Sequence, residues 1–296
     1  MPGKRASVGA GHWPAWLGLV LLAAVRSATA ADVAVGVVAE YRPAAARYVF
    51  QRGAAPPVPV RIGTVVMAGD QVTLPNGGTL VLRLADGERR EVRGPRTYDV
   101  PSSPSLGKLA SIFGSIPALF DDEFRQEGTA AARGGEKCSS SGSDAQPIEI
   151  PILASGARII AGERDLPLAW RGGCPPFVVT LWSGERKLID RESIEGRQVR
   201  LDDLPLAGGR YELTIVDAGG LEAHATVEAV DVGPTLPAEL ASDTSALGVI
   251  AQAVWLAQQD AGRWRLDGFE RLRPLIRSGD SLAGAIGDGL LWGTHP

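Results

Sequence analysis

Two periodicities take turns along this chain. From about residue 31 to 103, and again from 147 to 232, apolar and polar positions alternate over short runs, the period of a strand with one buried face. From Leu106 to Phe124, and again beyond Pro237, apolar residues recur every three or four positions, the period of a helix. The clearest strand is Thr79–Ala85, with Leu80, Leu82 and Leu84 on one side and Val81 and Arg83 on the other, which predicts a half-buried strand. Asp86-Gly87 follows as a tight hairpin turn, since its central residues need positive φ. The returning run Glu88–Gly94 is so charged that it predicts an edge strand or one with a wet face, guarded against pairing with other chains. Gly69-Asp70 and Pro75-Asn76-Gly77-Gly78 are further turn signals.

The second alternating region holds eight strand-like runs, IEIPILA, RIIA, LPLAW, PFVVTLW, RKLIDRE, RQVRLDDL, GRYELTIVDA and LEAHATVEAV. Seven or eight short strands at this spacing predict an antiparallel sandwich. Tyr211, Leu213 and Ile215 share one face of their strand, and Leu221, Ala223, Ala225, Val227 and Ala229 one face of the last. Trp170 closes an apolar strand and is expected in the core.

The first helical stripe runs through Leu106, Leu109, Ile112 or Phe113, Ile116, Leu119 and Phe120, with Pro117 placed to start a second short helix. It has two readings: packing on the neighbouring sheet, or a contact face for a partner. Ile112, Phe113, Leu119 and Phe120 are the candidate contact residues. Residues 128–146 are rich in Gly, Ala, Ser and charge, the composition of a flexible linker. In the tail, Leu247, Ile250, Ala251, Val254 and Gln258 follow one helix face, Trp264, Gly268, Leu272 and Ile276 a second, and Leu282, Ala285, Ile286 and Leu290 a third. Ala261-Gly262 and Ser278-Gly279-Asp280 break these helices. The expected fold class is mainly β with α.

Three resemblances attach to these runs. Gly63, Met67-Ala68-Gly69-Asp70-Gln71-Val72, Gly77-Gly78-Thr79-Leu80-Val81-Leu82, Leu84-Ala85-Asp86-Gly87, Gly94-Pro95 and Tyr98 together resemble a FecR-like domain. That likeness implies a small extracytoplasmic β domain over 31–103, best known from sensors that relay an outer-membrane signal across the inner membrane. Those sensors carry a cytoplasmic segment and an anchor ahead of the domain. Here only 12 residues precede an apolar run, so the resemblance does not extend to sigma-factor control. Leu204–Leu213 and Val216–Gly220 resemble the late strands of immunoglobulin-like or fibronectin-like modules, which implies a display architecture over 147–232 and no chemistry. Ala251, Trp255, Ala257, Gly262, Trp264 and Phe269 are similar to one tetratricopeptide-type helical hairpin within the tail, 236–292. One such repeat cannot bury its own face, so the tail is expected to pack on the sandwich, pair with another chain or stay loosely ordered.

The N-terminus sets the expected compartment. Lys4 and Arg5, the apolar run Trp13–Val25 and the small residues Ala28-Thr29-Ala30 have the order of a secretory signal peptide, residues 1–30, with the mature chain starting at Ala31. The run is shorter than the roughly 20 residues of a membrane span, and no later stretch is long and apolar enough for one. The expected location is the periplasm of a bacterial cell envelope. Processing removes three basic residues and no acidic ones, which leaves 27 against 34, a net charge of −7, without the basic block that nucleic acid or anionic lipid would require.

Chemistry-bearing residues are sparse. The mature chain has two histidines, His224 opposite the apolar face of its strand and His295 beside the terminus. Its two cysteines, Cys138 and Cys174, form no metal pattern, and in an oxidising compartment they are a candidate disulfide. Asp121-Asp122-Glu123 and Asp202-Asp203 lack the alternate oxygens and closing Glu of a calcium loop. The expectation is therefore no catalytic, metal-binding or cofactor-binding residue, and a binding or scaffold protein with envelope proteins as partners. An accessory sensor component and an envelope carbohydrate hydrolase are the alternatives.

Overall fold

The structure is a computed structural model; it describes residues 33–43, 46–116 and 146–293. Its first β region consists of two four-stranded sheets. One has the order β4-β1-β6-β7, from β1 (Ala34–Arg42), β4 (Val65–Met67), β6 (Thr79–Leu84) and β7 (Arg89–Arg93). The other has the order β3-β2-β5-β8, from β2 (Val49–Gln51), β3 (Val58–Pro59), β5 (Gln71–Leu74) and β8 (Arg96–Asp99). Val35, Val38, Phe50, Val72, Leu80, Leu82, Leu84 and Val92 fill the core between them. The Asp86-Gly87 turn forms as its chemistry requires, with Gly87 at φ 87° and the Asp86 carboxylate accepting the Glu88 N–H at 2.9 Å. The charged β7 is an edge strand. At the Gly69-Asp70 turn, Asp70 is buried because its carboxylate accepts from the Met67 N–H (2.6 Å) and from Arg52 (3.0 and 3.1 Å). Gly36 is required where β1 meets β6, since a Cβ there would lie 2.7 Å from the Arg83 carbonyl oxygen.

The expectation for β6 needs correcting. It is not half-buried: Val81 is as buried as Leu80 and Leu82, and Arg83 is largely covered and ion-paired to Asp280. The second face of the sheet lies beneath the C-terminal helices.

The second β region has a five-stranded sheet, β12-β11-β14-β15-β9, and a two-stranded one, β10-β13. The strands are β9 (Ala157–Ile160), β10 (Gly162–Ala169), β11 (Phe177–Ser183), β12 (Arg186–Ile194), β13 (Gln198–Leu206), β14 (Gly209–Val216) and β15 (Glu222–Val230). All pairings are antiparallel except β9 with β15. Both sheets turn their apolar sides into one core containing Leu166, Leu168, Trp170, Val179, Leu181, Leu201, Leu213, Ile215 and Val227. Trp170 is fully buried edge-on to Phe177, ring centroids 5.2 Å apart. The run IEIPILA is not a strand. It makes a single bridge, Glu149 to Arg171, and then a 3-10 turn over Pro151–Leu153, where proline offers no N–H to a ladder.

The helices are α1 (Leu109–Gly114), α2 (Ala238–Ala241), α3 (Ala246–Gln258), α4 (Arg265–Arg277) and α5 (Ser281–Trp292). Ser245 caps α3 by accepting the Gly248 N–H at 3.0 Å, and Asp280 caps α5 by accepting from Leu282 and Ala283 at 3.1 and 3.0 Å. Between α3 and α4 the chain reverses through left-handed Asp260 and Ala261. Gly268 lets α3 and α4 close up: a Cβ there would stand 2.7 Å from the Ala253 carbonyl oxygen. Ile250, Val254, Leu272, Leu282 and Ile286 join Phe113 and Ile116, and Val37 and Val81 of the first sheet, in one core. Leu266 enters the core of the second β region, with Phe269 and Leu291 against it. The tail thus packs on both β regions, which answers what buries its apolar faces, and the described residues from Val33 onward belong to one compact unit.

Candidate interaction site

Where α1, α2 and α3 meet, their side chains leave a groove of about 690 Å³. Leu109 and Ile112 form one wall, Pro237 and Leu240 the other, and Trp255 and Ala85 contribute from α3 and the β6–β7 turn. α2 is fixed by Gln252 of α3, whose buried amide donates to the Leu240 and Asp243 carbonyls (2.6 and 2.8 Å) and accepts from Arg271 (2.5 Å). The rim is polar and self-satisfied. Lys108 pairs with Glu239, both well exposed, and Asp243 accepts the Ser245 N–H at 2.9 Å. Such a cleft, apolar inside with a few polar groups at its edge, has the make-up of a ligand-binding or partner-binding surface.

The structure separates the sequence-based contact residues. Ile112 lines the groove. Phe113 does not: it is 0% exposed and packed in the core that α1 shares with the C-terminal helices and with Val37 and Val81 of the first sheet, which is the packing reading of the stripe at this residue. Leu119 and Phe120 lie outside the described residues, as do residues 1–30, read as a signal peptide, residues 128–145 of the stretch read as a linker, Cys138, His295 and Asp121-Asp122-Glu123. Cys174 is disulfide-bonded. His224 stands on the solvent side of β15 with its side chain 69% exposed, bonded to Thr214 at 3.3 Å. Asp202 and Asp203 are exposed on β13.

A second concentration of polar groups, not singled out from the sequence, is the seam where α4 meets β9 and β10. Asp165 of β10 accepts the Asp203 N–H (3.0 Å) and pairs with Arg273 (2.7 Å) and Arg200. The Asp203 N–H, with the two arginines, holds its carboxyl down at about 2. Asp267 of α4 is 7% exposed, accepts the Ile160 N–H at 3.2 Å and faces Arg164 at 3.4 Å. Burial outweighs both partners and pushes its carboxyl up to about 6. Glu270 is also raised by burial, against the pull of Arg273. Perturbed carboxyls are a mark of catalytic centres. Here each perturbed acid is turned onto an arginine or backbone N–H of the helix–sheet contact, so the seam is a fastening. The same junction continues with Arg158, which pairs with Glu228 (2.9 Å) and Asp260 (2.8 Å). The one sequence signal for it was acidic and basic residues inside the α4 stripe, which solvent-facing charge would equally produce.

Among the described residues no group of three or more His, Cys, Asp or Glu is placed to hold a metal ion. No described helix is long and apolar enough to cross a membrane. The sequence matches no protein family, and no curated protein matches it.

Proposed function

We propose that this chain is a non-catalytic binding or scaffold protein of the bacterial cell envelope, exported to the periplasm. A FecR-like module and an immunoglobulin-like sandwich are held by the C-terminal helices as one block. The observation that carries this reading is the placement of those helices: their apolar faces are spent on both β regions, through Val37 and Val81 on one side and Leu266 on the other. A tail used in that way fixes surfaces in place, which is what a scaffold needs. The groove bounded by Leu109, Ile112, Leu240 and Trp255 is the surface through which it engages an envelope protein. Affinity capture from detergent-solubilised envelopes, run with the mature chain and with an Ile112→Asp variant of unchanged melting temperature, tests this. A defined partner held by the first and released by the second supports it. Capture indifferent to the variant removes the groove from the proposal. A stable inner-membrane sensor as partner would favour the accessory-sensor reading, and turnover of envelope glycan by the purified chain would overturn the non-catalytic one.

A further inference from the structure

The solvent side of the five-stranded sheet has a composition that neither its fold nor the groove requires. Strand register sets two adjacent rows across β12, β11, β14 and β15. One is Asp190, Thr180, Thr214 and His224; the other is Lys187, Trp182, Glu212 and Thr226. At about 4.8 Å between strands each row is about 14 Å long. Trp182 is the anomaly. Its strand neighbours in the core direction, Val179 and Leu181, are fully buried, yet the indole itself lies on the wet side, half-buried, with a lysine, a glutamate and threonines around it.

That surround is organised. The Trp182 N–H donates to Thr180 (3.3 Å), the Lys187 ammonium lies 5.2 Å from the indole centroid and pairs with Asp190 at 2.6 Å, and Arg210 donates to Thr226 at 3.2 Å. Beside Glu212 the sheet dips into a depression of about 370 Å³, closed at one end by the Leu153–Gly156 turn and lined by Arg210, His224 and Thr226. That volume falls within the roughly 300–1,000 Å³ of small-molecule sites.

The chemistry selects an occupant. A flat indole presents a negative π face; the exposed Lys187 ammonium rests over it here, and the polarised C–H groups of a sugar ring take its place when that flexible side chain swings aside. Short hydroxyls, a carboxylate and an imidazole supply the donors and acceptors that ring hydroxyls use. Lys187 pairs with Asp190, Arg210 and Glu212 carry opposite charges, and Glu222 beside His224 adds one further acid, so the face offers no attraction to a polyanion such as nucleic acid. It also lacks the contiguous apolar area of a protein contact, since Trp182 is isolated among polar groups.

We infer that the outer face of the five-stranded sheet, centred on Trp182 and Glu212, is a binding site for an uncharged glycan, with one pyranose ring stacked on the indole and the next over the depression at His224. The site goes beyond the scaffold reading and does not depend on the groove.

Calorimetric titration of the purified mature chain with chitotetraose, cellotetraose and maltotetraose tests it. Saturable binding to at least one is expected, with Kd between about 10 µM and a few mM. Trp182→Ala should weaken it by at least about tenfold, and Trp182→Tyr, which keeps an aromatic face, should restore most of it. No heat from any of the three at about 10 mM overturns the proposal, as does a folded Trp182→Ala variant that binds like the parent. Binding of heparin without binding of any neutral sugar overturns it too. Where Trp182→Ala does not fold, the exposed Glu212→Gln and Thr226→Val replacements decide: unchanged affinity in both is equally fatal.

Discussion

Asp267 ties the stability of this chain to pH in an unusual direction, and replacing it with asparagine isolates the effect. The carboxyl faces the Ile160 N–H of β9 and Arg164 of β10, with Glu270 and Arg271 on its own helix. Burial dominates and lifts it from the ordinary 3.8 to about 6. A raised carboxyl holds its proton more tightly in the folded state. The stability that its protonation confers is therefore complete below about 3.8 and lost as the pH rises through about 6. The gap corresponds to about 3 kcal/mol in full, of which about 1.4 kcal/mol lies between pH 5 and 7.5. Asparagine keeps an acceptor for the Ile160 N–H and carries no charge to desolvate. Urea denaturation at pH 5 and 7.5 should show the parent chain gaining stability on acidification and the Asp267→Asn variant gaining about 1.4 kcal/mol less. Asp288, raised by burial, acts in the same direction in both proteins and drops out of the difference; Glu270, raised by burial and a like charge to Asp267, acts in that direction too. Asp165 sits at about 2, so its loss of stability falls below pH 4 and outside the window. Equal pH dependence in the two proteins would refute the assignment of the shift to the buried Asp267 carboxyl.

Four further outcomes are expected. Gly268→Ala should force α3 and α4 apart and destabilise the fold by about 1–3 kcal/mol in urea, because the new methyl meets the Ala253 carbonyl at 2.7 Å. Phe113→Ala should cost about 3–5 kcal/mol in the same assay, since it empties a fully buried site between α1 and the tail. Alkylation of unreduced, unfolded mature protein should label neither Cys138 nor Cys174; two labels in the monomer would reject their pairing, and a reducible dimer would shift it between chains. N-terminal sequencing of envelope-extracted protein should begin at Ala31, and an intact residue 1–25 segment would remove the signal peptide.

Features of this fold that depend on neighbours in the chain were legible in the sequence. Asp86-Gly87 turns where it does because glycine takes φ 87° freely and the aspartate caps the next N–H. The helix breaks at Ala261-Gly262 and Ser278-Gly279-Asp280 follow from left-handed backbone and from an aspartate that can accept the first free N–H groups of α5. Alternation placed Tyr211, Leu213 and Ile215 inside and His224 outside, because the side chains of a strand have a fixed period of two. IEIPILA failed as a strand through its proline, a local signal outvoted by apolar pattern. What tertiary structure alone decided is every property that needs two distant segments at once. Val81 looked like the wet side of β6 because the helices that cover it begin more than 150 residues later, and Arg83 finds its partner 197 residues away. The groove at Ile112, the burial that lifts Asp267 and the rows that set Trp182 beside Glu212 likewise exist only once register and docking are chosen. A sequence fixes which faces are apolar, but the surface that finally excludes water from each face is selected by the packing of the whole chain.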